Sequence, residues 1–266
     1  MTDETTPTPT IQPLIISAPF GNYIQPPGTT ATLGTFTTYR RGGWPARIWR
    51  ILYTVRWNPF KQRWRNRIGL RNPGIDWLVE QVNSGKKDVS DKIVSIHGMT
   101  NEEWGPVLDK CAALKPMAIE LNISCPNVGH ISWPEDLFER AVATGISIIV
   151  KIPPVQYGQM VDDAVAAGVR MFHCCNTLPS PKGGVSGAPL REVALECIAD
   201  LRNRPDWDEL TVIGGGGVYQ PEHVDAYAEL GVRYVAIATK LFNPLYLLKM
   251  FGGIAGIKAR AEARLS

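Results

Sequence analysis

"LTVIGGGGVYQPEHVDAYAELGVRYVAIATK", residues 210–240, decides the fold. It opens on a β-branched run, breaks at four glycines, and continues as "PEHVDAYAELG", with apolar residues at helical spacing until Gly231 stops it. "YVAIATK" then resumes a strand-like pattern. Strand, helix and strand in that order make a crossover unit, and crossover units build parallel sheets covered by helices.

The alternation extends upstream of this unit. Strand candidates are "LIIS" at 14–17, "TATLGTF" at 30–36, "KIVSIHG" at 92–98, "AIELNIS" at 118–124, "SIIVKIP" at 147–153 and "MFHCCNT" at 171–177, besides 210–216 and 234–240. Helical spacing fills "NEEWGPVLDKCAAL", "PEDLFERAVATG", "QYGQMVDDAVAAG" and "REVALECIADLR" between them. Eight strands alternating with helices predict an α/β fold, a (β/α)8 TIM barrel over residues 14–266, behind a flexible leader at 1–13. A doubly wound open sheet is the alternative, because periodicity does not report closure.

Composition bounds the function. With 44% hydrophobic residues, 20% charged and a net charge of +3, the chain reads as a cytoplasmic globular protein, with no nucleic acid expected as partner. Five cysteines without framework spacing read as free thiols, and four scattered histidines give no metal signature. The Thr/Pro-rich start "MTDETTPTPTIQP" lacks the basic and apolar regions of a secretory signal.

In a barrel, chemistry sits at the C-terminal strand ends. Four glycines between a strand and a helix opened by Pro221 offer unhindered N–H groups to an anion, and "IATK" adds Thr239 beside them. Lys151 stands in the otherwise apolar "IIVKIPP". Such a lysine is paired, shifted in pKa or pointed into a polar cavity, unless it snorkels outward at a strand edge. "ELNISCPNVGH", 120–130, brackets Cys125 with Asn122 and Asn127 after an apolar run, an arrangement that presents amides and a thiol to something. The long loop "NTLPSPKGGVSGAPL" could fold over a ligand, whereas vicinal Cys174 and Cys175 read as strand core.

"ELNISCPNVG", "VKIPP", "NTLPSPKGGVSGAPL", "VIGGGGV" and "GVRYVAIATKLF", together with "NRIGLRNPGIDWLVEQV" and "VSIHGMTNEEW", resemble the dihydroorotate dehydrogenase family in order and spacing, over about residues 14–245. The resemblance implies an FMN-dependent oxidoreductase of pyrimidine biosynthesis that oxidises dihydroorotate to orotate. It implies FMN phosphate contacts at Gly187, Gly216, Gly217, Ala238 and Thr239, flavin-lining positions at Ala18, Thr35 and Asn122, and Lys151 near the flavin's pyrimidine end. Asn66, Asn122, Asn127 and Asn176 would hold the pyrimidine-like substrate, with Thr177 beside them, and Cys125 would be the catalytic base.

The chain also departs from that pattern. The family lysine near the end of the first or second strand is missing from "SAPFGNYIQPPGTTATLGTFTT", and Asn22, Tyr23 or Thr37 takes its space. Arg67 is the nearest cation to pair with a substrate carboxylate. Pro26-Pro27 shortens the first unit, so its helix is expected to be absent, and the loop after "SCPNVG" lacks a long lid. "GTFTTYRRGGWPARIWR", "NRIGL" and "GGVSGAPL" look like the membrane-bound, quinone-using class, while Cys125 follows the soluble class. The electron acceptor (fumarate, a quinone, or NAD through a partner) stays open. So do an uncharged dihydropyrimidine substrate and a catalytically weak FMN-binding barrel with an interaction role.

Residues 40–67 carry nine Arg/Lys, no acid and six aromatics. One reading is a hairpin that packs its aromatics and leaves its arginines solvated. The others are contact with a membrane surface, a protein partner or single-stranded nucleic acid. Self-association into a homodimer is a further expectation.

Overall fold

The computed structural model describes residues 10–42, 49, 53–58, 60, 63–67, 69–124, 132–181, 183–242 and 253–265. In chain order its elements are β1 (Leu14–Ile16), β2 (Thr30–Thr37), β3 (Arg56–Asn58), β4 (Arg63–Asn66), α1 (Ile75–Asn83), β5 (Lys92–His97), α2 (Asn101–Ala113), β6 (Ala118–Leu121), α3 (Leu137–Ala143), β7 (Ser147–Ile152), α4 (Gly158–Ala166), β8 (Met171–Cys174), β9 (Gly184–Gly187), α5 (Ala188–Arg202), β10 (Thr211–Gly215), α6 (Glu222–Glu229), β11 (Tyr234–Ile237) and α7 (Gly253–Leu265). All eight expected strands form, each within a few residues of the reading from sequence. They pair in parallel in the order β1-β11-β10-β8-β7-β6-β5-β2, and β1 pairs with β2 to close the ring. The barrel is closed, and the open-sheet alternative falls.

Period-2 alternation explains why the ring closes around a dry floor. Ile15, Ile93, Ala118, Ile149, Ile213 and Ala236 form one buried cluster, separate from the larger cluster that the outward residues share with the helices. Burying each isoleucine of this floor contributes about 1.5–3 kcal/mol. Two positions beyond Ile93, Ala118 and Ile149, and beyond the partly buried Met171 of β8 that packs on the cluster, Ser95, Glu120, Lys151 and His173 replace the apolar layer, all buried. Polarity thus begins where the barrel approaches its mouth.

The first unit is irregular, as expected. Between β1 and β2 lies only a 3-10 turn, Phe20–Asn22, instead of an α-helix. Gly21 packs so tightly there that an added Cβ would sit 2.3 Å from Thr32 O and 2.8 Å from Ile16 O. Of the leader, residues 1–9 lie outside the described residues, while Gln12 N donates to Thr30 Oγ1 at 2.8 Å and Pro13 O accepts from Val235 N at 2.9 Å.

A second sheet was not legible in full. β3, β4 and β9 form an antiparallel three-stranded sheet in that order. β9 comes from the long loop after β8, so that loop folds back onto the basic hairpin. α1 and α7 also went unread, α1 because "GIDWLVEQV" is short and α7 because its alanine-rich pattern is weakly amphipathic. Among the described residues, no helix is long and apolar enough to cross a membrane.

Candidate active site

Four neighbouring strands and the loops after them build a cavity at the barrel mouth. Lys151 of β7, Asn176 and Thr177 after β8, Gly215–Gly217 after β10, and Ala238 and Thr239 after β11 line it, with Ala18 closing the side toward β1. It opens to solvent and has a cavity volume of about 100 Å³. Seven of the positions singled out from sequence therefore share one cavity with Lys151.

The glycine loop has a structural reason for its composition. Gly217 adopts φ +63°, and a Cβ on it would lie 2.7 Å from Gly187 O and 2.7 Å from Arg191 Cβ. The loop is thus pressed onto the β9–α5 junction, which brings Gly187 to the same cradle. From below, the fully buried Tyr227 donates its hydroxyl to Gly216 O at 2.7 Å.

Beneath the cavity, Glu120 Oε2 accepts from His173 Nδ1 at 2.7 Å, and Glu120 Oε1 faces Lys151 Nζ at 3.9 Å. Burial opposes ionisation of Glu120, but the Lys151 charge and the His173 hydrogen bond outweigh it and hold the carboxyl well below the usual range. Burial moves His173 the other way, helped by the Lys151 charge, and depresses its pKa despite Glu120. The group is therefore a carboxylate, an ammonium and a neutral imidazole whose Nδ1–H points at Glu120. Lys151 is an inward lysine, and the snorkelling alternative fails.

Glu120 and His173 were missed in the sequence. The signal that singled out Lys151, a polar residue at an inward position of an apolar strand, is present at both of them.

On the other flank, amides and hydroxyls form a chain. Asn176 Nδ2 donates to Asn122 Oδ1 at 2.9 Å, Asn122 Nδ2 to Thr35 Oγ1 at 2.9 Å, and Thr35 Oγ1 and Ser95 Oγ lie 3.0 Å apart. His97 Nδ1, 2.8 Å from Asn122 O, fixes the backbone there. Ser124 Oγ donates to Lys151 O at 2.6 Å and accepts from Asn176 Nδ2 at 3.2 Å, tying the two flanks together. Asn66 is not part of this chain of hydrogen bonds; it ends β4, where it pairs with Gly184 in the second sheet. Cys125 and Asn127 lie outside the described residues, as does His130.

Two expectations are corrected. Arg67 is exposed and is not among the residues that line this cavity. Asn22 does not offer its amide to a ligand either. Its Nδ2 donates to Pro19 O and Gly34 O, both at 2.8 Å, and its Oδ1 accepts from Gly34 N at 2.9 Å. Cys174 and Cys175 are buried core, as read, and burial pushes both thiols up.

A closed parallel barrel with a glycine cradle, a buried charged group and an amide chain at its C-terminal mouth has the architecture of a barrel enzyme, with backbone suited to an anion beside polar side chains. The family model of dihydroorotate dehydrogenase matches residues 29–255. The chain is 30% identical over 218 residues to the dihydroorotate dehydrogenase B (NAD(+)) catalytic subunit of Alkaliphilus metalliredigens, covering 72% of this chain and 71% of that one. It is 29% identical over 216 residues to the subunit so named in Lachnoclostridium phytofermentans, covering 71% of each. The crystal structure of DHODH in complex with ferulenol from Eimeria tenella superposes with a TM-score of 0.71 at 15% identity, over 94% of this chain and 80% of that one. That last likeness speaks for the fold alone.

The chain belongs to the dihydroorotate dehydrogenase family. It is an oxidoreductase of the kind that acts on a CH–CH group, in a family that depends on a flavin.

Proposed function

We propose that the protein binds FMN and oxidises dihydroorotate, or a close uncharged relative, at this mouth. One observation carries the reading. The cavity joins the glycine cradle to Lys151, and Lys151 O is tied through Ser124 to the Asn122–Asn176 pair. The residues fit the flavin, since Gly215, Gly216 and Gly217 bring backbone without side chains to the cavity and Lys151 supplies a cation on the same cavity. Gly187, Gly216, Gly217, Ala238 and Thr239 would hold the phosphate; Ala18, Thr35, Asn122 and Lys151 would border the ring.

When bound, the flavin supplies the hydride acceptor. The chain supplies the rest. Asn66, Asn122, Asn127 and Asn176, with Thr177, would hold a flat imide by matching its donors and acceptors. Cys125 Sγ would take the C5 proton from the face opposite the flavin, which requires a thiolate stabilised by its setting. Lys151 would offset negative charge that develops on the ring side, with Glu120 keeping the ammonium oriented upward from the barrel interior.

The test is direct. Purified protein should be yellow with FMN, and dihydroorotate should bleach it. Cys125→Ala should keep the FMN and slow bleaching about 100- to 10,000-fold. Colourless protein that takes up no added FMN overturns the cofactor reading, and an alanine variant that bleaches at the parental rate overturns the role of Cys125.

A further inference from the structure

The barrel has a second cavity, larger than the one at its mouth. It opens beside the Phe20–Asn22 turn that replaces the first helix, between β2 and α1, and has a volume of about 550 Å³. Small-molecule sites run from about 300 to 1,000 Å³. The two cavities share no lining residue.

Its walls combine rings and charges. Tyr23, Trp77 and the buried Phe36 supply the rings, and Phe36 and Trp77 stack at 6.4 Å between centroids with 27° between planes. Arg40, Arg71 and Lys87 supply cations. Lys87 Nζ sits 5.8 Å from the centre of the Trp77 ring, but none of the three cations has an ion pair among the described residues. Two acids share the wall. Asp76 is engaged by Lys110, whose Nζ donates to Asp76 Oδ1 at 2.5 Å, which leaves Glu80 against three cations. Arg71 Nε is also shut off from water without a hydrogen-bond partner. A buried donor left this way costs free energy that an incoming acceptor would recover.

We infer that this cavity is a binding site for a flat aromatic carboxylate. The ring would lie against Tyr23, Phe36 and Trp77. The carboxylate would face Arg71 and Arg40, because the guanidinium fork matches the two oxygens of a carboxylate.

Other small ligands fit less well. An uncharged ring would leave Arg71 Nε unpaired, a cation would meet the surplus of positive charge, and a dianion would meet Glu80 at greater cost. The position also touches the chemistry. Phe36 of β2 walls this cavity, while Thr35 beside it accepts from Asn122 Nδ2 at the barrel mouth. The inference does not depend on which substrate or flavin the mouth takes.

Calorimetric titration of the full-length protein with 2-naphthoate, in the presence of excess FMN, tests it. Naphthoate should bind at one equivalent per chain. Its uncharged relative 2-naphthylmethanol should bind at least about tenfold more weakly, and Arg71→Gln should weaken naphthoate about tenfold. Arg40→Gln, at an exposed residue, should weaken it in the same direction without touching a buried atom. Glu80→Gln removes the opposing acid and should tighten binding about two- to fivefold. Four results would each overturn the inference: no heat with naphthoate, equal binding of the alcohol, parental binding by all three variants, or binding that is lost in Lys151→Ala and kept in Arg71→Gln, which would put the ligand at the mouth.

Discussion

The two sides of the barrel mouth are built to different standards. On the β7–β8–β10–β11 side the polar residues near the mouth engage one another or line the cavity. Lys151, Glu120 and His173 interlock, and the glycine loop is clamped by Tyr227 and by the β9–α5 junction. On the β1–β2 side the helix is replaced by a turn, the family lysine is missing, and Asn22 and Thr37 spend their side chains on neighbouring protein groups. The first side can stabilise charge on a cofactor. The second offers a substrate little beyond shape and neutral hydrogen bonds. Under the proposed function, cofactor binding and substrate choice become separable, and carboxylate recognition is the part expected to be weak.

The largest expected effect tests the built side. Lys151→Ala should slow flavin reduction about 100- to 1,000-fold, the usual cost of deleting one preorganised electrostatic group. It should also move acid sensitivity. Ionised Glu120 stabilises the fold above the ordinary value of 4.5, and that contribution is lost as pH falls through its depressed folded value. Without the Lys151 charge the folded value rises, so acid unfolding should set in at higher pH in the variant. Identical acid transitions and identical reduction rates would remove the distinction between the two sides.

The next effect tests the stripped side. A charge-assisted hydrogen bond is worth about 1.5–3 kcal/mol, so a pocket without the family lysine should bind orotate about 10- to 150-fold more weakly than one that has it. Uracil, which has no carboxylate, should bind as it would to a pocket that carries the lysine. Titration of the flavin absorbance with each ligand measures both. Tight orotate binding by the parent, with uracil ignored, would mean that a cation reaches the pocket from elsewhere.

The smallest effect concerns how the stripped side is held. Gly21→Ala would press a methyl group onto the backbone of β1 and β2, which should cost about 1–3 kcal/mol by overpacking. Thermal denaturation reads it. A melting temperature equal to the parent's would imply that this turn is loosely attached and that the missing helix leaves slack.

The sequence alone determined what local pattern can carry. Strand alternation located all eight barrel strands, and Gly231, read as a helix stop, follows α6 at positive φ, as Gly145 and Gly168 follow α3 and α4. Lys151 stood out because a cation in an apolar run is improbable without a purpose. The cradle at Gly216 and Gly217 followed from glycine's freedom near a helix start. Tertiary structure decided everything that depends on residues far apart in the chain. Glu120, Lys151 and His173 come from three strands and meet only because β6, β7 and β8 are adjacent in a particular register. Thr35 and Asn122 are 87 positions apart, and the pairing of β2 with β5 and of β5 with β6 makes them partners. The pairing of β4 with β9 and the outward turn of Arg67 were equally out of reach, as was the exposure of Phe60. Side-chain direction at the end of a strand depends on what packs against it, and no local pattern carries that.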